Sequence, residues 1–271
     1  MKKMIVVFNG ATYSTDLSSF TLRLAHANPS LVHGVFLSPT LMPVAQYPFP
    51  NDLPLAGVVT TEEMLQHQRE TMDANIKVFR DDCQRQNIQC TVDEDLNITL
   101  EELIDHSAFT DLMLCSSIEE MGGVSLRDVL VNTHCPVVLV PQHASLPMRA
   151  ILCYDESYSS VLAMKMYSYL FPEWKDLPTA VLTINPKGDD GYLKHEEYLS
   201  DWLPQHFTRL EKQVLQGNLQ RELVGFIRKG DEPTMVVMAA YGRNAMSRLF
   251  HRSLANVVIE ETSAILFIMH E

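Results

Sequence analysis

The chain has 271 residues, of which 46% are hydrophobic and 20% charged, a composition typical of a globular protein that excludes a disordered or fibrous one. Since one domain takes ~150 residues, the length predicts about two domains. The formal charge of −13 at pH 7 predicts that the chain repels nucleic acid and anionic lipid, so neither is an expected partner.

The cysteines and the apolar runs indicate where the protein is found. Cys115, Cys135 and Cys153 lie in apolar, strand-like runs, and no two of the five cysteines form a C-x-x-C pair, which indicates free thiols in a reducing compartment. The apolar run at residues 4–8 is too short for a signal peptide, and no stretch approaches the ~18 apolar residues of a membrane helix. We therefore expect a cytoplasmic protein without a membrane partner.

In the first half of the chain, short apolar or β-branched runs alternate with longer amphipathic stretches. The runs predict strands over residues 5–8, 31–37, 88–92, 111–115 and 136–140. The amphipathic stretches predict helices over residues 15–26, 60–86, 99–107 and 125–133. Residues 38–59, rich in proline and glycine, predict a long surface loop. This alternation is typical of a parallel sheet covered by helices on both faces.

The same cycle restarts in the second half. Strands are predicted over residues 149–154, 179–184, 212–216, 234–240 and 264–269. Helices are predicted over residues 157–171, 192–210 (interrupted at Pro204), 219–228 and 243–260. Residues 142–148 break the pattern and are predicted as a linker, which divides the chain into domains at 1–141 and 149–271.

The two halves repeat each other in residues as well as in pattern. Residues 4–9 align with residues 150–155, and residues 125–129 align with residues 253–257. The closing strands, at 137–140 and 265–268, are uniformly apolar and would invite aggregation as bare sheet edges. We therefore expect these strands to pair with each other. The predicted fold class is α/β, with two tandem five-stranded parallel sheets, each a sandwich with helices, packed as a pseudo-dimer.

Ligands of open parallel sheets bind at the carboxyl ends of the strands, where the strand order reverses. In the second half these ends are Asp155, after the first strand, and the loop that starts at Ala239, after the fourth. Asp155 has a second interpretation, since an aspartate at this point is also an ordinary helix cap.

Both halves resemble universal stress protein domains, which have a Rossmann-like fold related to the adenine nucleotide alpha hydrolases, and the resemblance covers essentially the whole chain. In that family an aspartate after the first strand meets adenosine, and a loop G-x2-G-x9-G-[S/T] after the fourth strand wraps the phosphates of ATP. The resemblance implies ATP as the ligand of the second half and Asp155 as this aspartate. It places the loop positions at Ala239, Gly242, Arg252 and Ser253.

Two of the three loop glycines are therefore replaced. Ala239 adds one methyl group, whereas Arg252 brings a long side chain to a point where the family has bare backbone against phosphate. Arg243 and Arg252 also belong to a local basic cluster, which is either a solvated face paired with nearby glutamates or a replacement anion site. We favour a blocking role for Arg252.

The first half departs further from the family. Asn9 stands where the second half has Asp155, which removes a charged acceptor. Cys115 and Ser125 are ten positions apart, whereas Ala239 and Ser253 are fourteen apart, so the loop is shorter. Two carboxylates, Glu119 and Glu120, stand where phosphates would lie. We expect the first half not to bind a nucleotide.

Motifs of common enzymes are missing from the sequence, which has no G-x-S-x-G, no G-x-x-x-x-G-K-[ST] and no G-x-G-x-x-G. The ten histidines form no i, i+4 pair, so no metal site is expected. The leading hypothesis is a non-enzymatic stress-response protein that acts through binding or signalling. The alternatives are an ATP sensor or slow ATPase in the second half, and a protein-interaction scaffold. The halves are expected to pair within the chain, and a homodimer of the whole chain stays open.

Overall fold

The computed structural model of the protein describes residues 1–38, 61–93, 98–117, 121, 123–185, 195–239 and 252–269. The strands of the first half are β1 (Lys3–Asn9), β2 (Leu31–Leu37), β3 (Cys90–Val92), β4 (Leu112–Ser116) and β5 (Val137–Val140). Its helices are α1 (Thr15–Ala27), α2 (Thr61–Arg85), α3 (Leu100–Ala108) and α4 (Leu126–Asn132). Apart from Ser38, the loop predicted over residues 38–59 lies outside the described residues.

The second half has the same succession of elements. Its strands are β6 (Arg149–Cys153), β7 (Thr179–Asn185), β8 (Leu210–Gln216), β9 (Thr234–Ala239) and β10 (Ile265–Met269). Its helices are α5 (Tyr158–Leu170), α6 (Glu196–His206), α7 (Leu219–Arg228) and α8 (Arg252–Glu261), and a 3-10 turn spans Pro172–Trp174. The helix predicted over 243–260 is described only from Arg252 onward.

The predicted helix over 192–210 was too long at its carboxyl end. The helix α6 continues past Pro204 and ends at His206, because Phe207 adopts an extended conformation after its N–H donates to the Leu203 carbonyl. Phe207 is buried there, and Leu210 already belongs to β8. The amphipathic pattern therefore predicted helix beyond the point where the chain reverses, because tertiary packing, and not the local sequence, sets that point.

The ten strands among the described residues form one sheet in the order β3-β2-β1-β4-β5-β10-β9-β6-β7-β8. Neighbouring strands are parallel within each half, and the central pair, β5 with β10, is antiparallel. Counted from its own first strand, each half has the strand order 3-2-1-4-5. The predicted fold class and the predicted pairing of the two closing strands are both confirmed.

The register of the central pair shows a pseudo-two-fold relation between the halves. Phe267 lies opposite Val138, with Leu266 opposite Leu139 and Ile268 opposite Val137. Val138 and Phe267 occupy equivalent positions, since they pair with Leu114 and Val237 in their own halves. A contact between equivalent residues is the mark of an isologous interface, formed here within one chain.

The helices form two layers around the sheet, with α1, α2, α5 and α6 on one face and α3, α4, α7 and α8 on the other. Each layer encloses one hydrophobic core that contains residues of both halves, so the cores are continuous across the β5–β10 seam. No helix among the described residues is both long enough and apolar enough to cross a membrane.

The segment predicted as a linker packs against the first half. Ala144 is buried, and its carbonyl oxygen accepts a hydrogen bond from Arg23 Nη2 at 2.5 Å. Met148 N donates to the carbonyl of Pro233, just before β9. These contacts fix both ends of the connection between β5 and β6.

Helix α3 begins with a capping box. The Thr99 hydroxyl accepts a hydrogen bond from Glu102 N, and the Glu102 carboxylate accepts one from Thr99 N. Thr99→Ala is expected to lower the free energy of unfolding by about 1 kcal/mol, measured by urea denaturation. Ser125→Ala is the matched control, since Ser125 caps α4 without a side-chain hydrogen bond and should change stability by less than about 0.5 kcal/mol. Equal effects of the two substitutions would contradict the capping argument.

Candidate functional site

The predicted site of the second half lies at the carboxyl ends of β6, β7 and β9. Asp155 follows β6 after Tyr154, and Ala239 ends β9, and both residues line the same small cavity of about 30 Å³. The rest of the lining is largely apolar and comes from β7, β9, α7 and α8: Leu182, Ile184, Leu219, Leu223, Met238 and Leu254. A volume of about 30 Å³ corresponds to one water molecule in the liquid.

Asp155 is engaged with the start of α5. Its Oδ1 accepts hydrogen bonds from Ser157 N at 3.1 Å and from Ser157 Oγ at 2.5 Å. Ser157 is the helix cap, since its hydroxyl accepts a hydrogen bond from Ser160 N at 3.1 Å. The carboxylate therefore supports the cap instead of capping the helix itself, and one of its oxygens is already bonded at the mouth of the cavity.

The remaining predicted site residues cannot be placed in the same way. Gly242 and Arg243 lie outside the described residues. Arg252 and Ser253 begin helix α8, and their side chains also lie outside the described part of the chain. The predicted phosphate loop therefore stays a prediction from the sequence.

In the first half the corresponding turn is closely packed. Asn9 Oδ1 accepts a hydrogen bond from Ala11 N at 2.8 Å, and Asn75 Nδ2 donates to the Gly10 carbonyl at 3.0 Å. A Cβ on Gly10 would approach Met72 Cε to 2.3 Å and the Leu37 carbonyl oxygen to 2.9 Å. The end of the Met72 side chain can move, but the Leu37 carbonyl is backbone, so the close approach of β2 requires glycine at this turn. Glu119 and Glu120 lie outside the described residues.

A larger cavity, of about 540 Å³, lies between α5 and α6 in the second half. Its lining is rich in aromatic side chains and includes one cation: Tyr154, Tyr158, Lys165, Tyr169, Tyr198 and Trp202. Tyr198, on α6, is 65% exposed. The size falls within the ~300–1,000 Å³ of small-molecule pockets.

Among solved structures, a universal stress protein from Archaeoglobus fulgidus has a similar fold over 99% of this chain and 96% of its own, with a TM-score of 0.73 and 11% identity. The protein has the universal stress protein fold. A candidate universal stress protein from Pseudomonas aeruginosa is also similar, with a TM-score of 0.59 and 11% identity over 100% of this chain and 93% of its own. No protein-family model matches the sequence, and comparison with curated proteins finds no match either.

The resemblance predicted from the repeat and from the strand-end residues is therefore confirmed at the level of the fold. Both structural matches span nearly the whole chain, so the tandem arrangement of the universal stress protein fold is matched as a unit. An identity of 11% does not carry ligands or residue roles from one protein to another.

The structure also brings together three residues that lie far apart in the sequence: His33, Asp93 and His106. Asp93 Oδ2 is 3.1 Å from His33 Nε2 and 3.3 Å from His106 Nδ1. Burial lowers the pKa of His33 below its ordinary value, although Asp93 opposes the shift, so the neutral imidazole is favoured. No local spacing indicates this cluster, since only the pairing of β2 with β3 and the packing of α3 create it.

Proposed function

We propose that the protein is a non-enzymatic stress-response protein of the universal stress type, which acts through binding or signalling and whose nucleotide sites are degenerate. The observation that carries the proposal is the cavity beside Asp155, whose volume of about 30 Å³ is a small fraction of the ~300–1,000 Å³ of ligand pockets. The hydrogen bonds from Ser157 to Asp155 also support the proposal, since they occupy one oxygen of the carboxylate with which a ribose would have to bond.

The proposed organisation follows the sequence repeat. Residues 1–141 form a first, non-binding domain, and residues 149–271 form a second domain that keeps part of the nucleotide loop. The packing of Gly10 under α2 supports the non-binding role of the first domain. All five cysteines are free, which supports action in the reducing cytoplasm.

The state of the thiols supports a non-enzymatic role. Burial raises the pKa of Cys135 and of Cys153 to about 12, and it also raises the pKa values of Cys83 and Cys115. A cysteine nucleophile reacts as the thiolate, and at neutral pH these four thiols stay protonated.

A second candidate function is an ATP sensor or slow ATPase in the second half. It is favoured by one observation, namely that Asp155 and Ala239 line one cavity, as the resemblance requires. This function needs the cavity to open roughly tenfold in volume to reach the range of ligand pockets. The third candidate function, a protein-interaction scaffold, does not require this cavity to become larger.

Equilibrium titration of the whole chain with a fluorescent ATP analogue tests the proposal. We expect no saturation up to millimolar concentrations, because the cavity is far smaller than a ligand pocket and two loop glycines are replaced. Saturation in the micromolar range that is lost in Asp155→Ala and kept in Asp16→Ala would contradict the proposal and support the sensor. Asp16 is the matched control, since it is an aspartate at the start of the corresponding helix α1 in the first half.

A variant that restores the family's loop shows whether the titration can detect binding. Ala239→Gly combined with Arg252→Gly returns both missing glycines and removes the arginine side chain from the phosphate position. We expect this double variant to bind the analogue more tightly than the original chain. If the original chain does bind the analogue, weaker binding by the double variant would show that the arginine replaces the backbone cradle instead of blocking it.

A further inference from the structure

Three side chains with metal-ligating atoms converge near the outer edge of the first half, at β2 and β3, which are three and four strands away from β5. His33 lies on β2, Asp93 follows β3, and His106 lies in the last turn of α3. One oxygen, Asp93 Oδ2, is within 3.3 Å of a ring nitrogen of each histidine, and the three ligand atoms all lie within 4.8 Å of one another. Metal binding is one of two physical interpretations of such a cluster.

The spacing of the ligand atoms fits a small divalent ion. Tetrahedral Zn²⁺ holds nitrogen and oxygen ligands at about 2.0–2.2 Å, which separates neighbouring ligand atoms by about 3.3–3.6 Å. The distances from Asp93 Oδ2 to His33 Nε2 and to His106 Nδ1 are 3.1 and 3.3 Å. The 3.1 Å distance is slightly short of this range, and the two histidine nitrogens lie within 4.8 Å of each other, so small shifts of the side chains would bring the three atoms to tetrahedral spacing. The two rings are already neighbours, with centroids 5.6 Å apart.

A further contact orients His33 for this role. Its other ring nitrogen, Nδ1, lies 2.8 Å from Thr91 Oγ1, the residue paired with it across β2 and β3. A histidine that binds a metal through Nε2 carries its proton on Nδ1 and donates it to a nearby oxygen. The Thr91 hydroxyl is that oxygen. The backbone N–H of Asp93 donates to the Gly34 carbonyl, which holds the carboxylate beside β2.

The second half shows that the fold does not need these ligands. In the repeat, Ile5 corresponds to Ile151, and these residues pair with His33 and Ala180 respectively. Continuing the register to β8 places Gln213 at the position of Asp93. Gly225 stands seven residues after the cap of α7, as His106 does after the cap of α3. The cluster is therefore a local addition to the first half and not a structural requirement of the repeated unit.

In the other interpretation, the cluster binds no metal ion and is held together by hydrogen bonds. Without a metal, the His33 imidazole donates a hydrogen bond from Nε2 to Asp93 Oδ2, and the Thr91 hydroxyl then donates to His33 Nδ1. His106 Nδ1 lies 3.3 Å from the same carboxylate oxygen, within the distance of an ion pair if His106 is protonated. The two interpretations differ in one measurable respect, which is whether the chain takes up a metal ion.

We propose that His33, Asp93 and His106 bind one divalent transition-metal ion, with Zn²⁺ as the preferred ion. Two imidazoles and one carboxylate suit zinc and its neighbours in the first transition row, whereas Mg²⁺ and Ca²⁺ prefer sites made of oxygen alone. The side chains of Asp93 and His106 are 27% and 37% exposed, so a fourth coordination position is open to water or to a small ligand.

The test measures Zn²⁺ uptake by the whole chain, prepared without an affinity tag, by equilibrium dialysis and by calorimetric titration. We expect one ion per chain and no comparable uptake of Mg²⁺. Co²⁺ is expected to bind competitively and to give the visible absorption of a four-coordinate site. His106→Ala should weaken Zn²⁺ binding by at least about 100-fold, since the loss of a ligand exceeds the 10–100-fold effect of losing a group that orients one.

The control variants separate this site from other binding. His143→Ala should leave the affinity unchanged, because His143 faces a single aspartate, Asp16, and is 87% exposed. Thr91→Val should weaken binding about 10–100-fold without removing a ligand, and it carries the test if His106→Ala unfolds. The proposal is overturned if the original chain shows no saturable Zn²⁺ uptake, or if His106→Ala binds Zn²⁺ as tightly as the original chain does. It is also overturned if Cys90→Ser abolishes the uptake while the histidine variants keep it.

Discussion

Replacing Phe267 by alanine is expected to lower the free energy of unfolding of the whole chain by about 3–5 kcal/mol. Phe267 is fully buried on β10, opposite Val138, at the point where the two halves meet. Its ring packs edge-on against Tyr167 and Phe171, with centroid distances of 5.7 and 6.1 Å. The substitution therefore leaves a cavity at the seam and removes two aromatic contacts as well as buried apolar area. Urea denaturation followed by circular dichroism measures the change.

Phe109→Ala is the matched control, since Phe109 is 80% exposed just after α3. Its replacement should change the free energy of unfolding by less than about 0.5 kcal/mol. Because both hydrophobic cores cross the seam, the original chain is expected to unfold in one transition despite its two halves. If Phe267→Ala lowered the free energy of unfolding by less than about 1 kcal/mol, or if the original chain unfolded in two separate transitions, the contacts at the seam would not couple the unfolding of the two halves.

Most of the fold follows from sequence patterns because buried parallel strands are short apolar runs. The run at 31–37 predicted β2 at its observed bounds, and the helix predicted over 219–228 coincides with α7. The apolar character of the closing strands predicted the β5–β10 pairing, since an exposed edge of that kind is unstable against aggregation. These features depend on local residues and on burial, which the sequence records directly.

Features that depend on chain reversal or on strand order were harder to predict. Ile88 was placed in a strand, but its N–H donates to the Cys83 carbonyl at the exit from α2, and β3 begins only at Cys90. The cluster of His33, Asp93 and His106 forms because β3 pairs with β2 and α3 packs across them. No periodicity in the sequence encodes which strands become neighbours, so residues far apart in sequence could not be assigned to one site.

The candidate nucleotide site was likewise predictable from the sequence only in part. The positions of Asp155 and Ala239 at the ends of β6 and β9 follow from the strand pattern, as the sequence predicted. The hydrogen bonds between Asp155 and Ser157, and the small volume of the cavity, depend on side-chain packing that the pattern does not define.

The isolated fragment of residues 1–145 is expected to form a dimer through β5. In the whole chain, the residues of β5 are buried and β5 pairs with β10, so the fragment exposes an unpaired, uniformly apolar edge. The pseudo-two-fold relation makes a second copy the natural substitute for the lost half, because Val138 of one copy takes the position of Phe267 opposite Val138 of the other. Ending the fragment at Ser145 keeps the hydrogen bond between Arg23 and Ala144.

Sedimentation equilibrium and light scattering measure the mass of this fragment over a range of concentrations, and circular dichroism shows whether it is folded. Val138→Lys in the fragment places a charge in the buried layer beside the exposed edge and should abolish or strongly weaken the dimer, and circular dichroism shows whether this variant stays folded. Lys77→Ala is the control, because the Lys77 side chain is 76% exposed on α2 and should leave the mass unchanged. A folded, monomeric fragment would contradict the expectation, because it would show that β5 tolerates solvent and that the pairing of the halves does not serve to cover it.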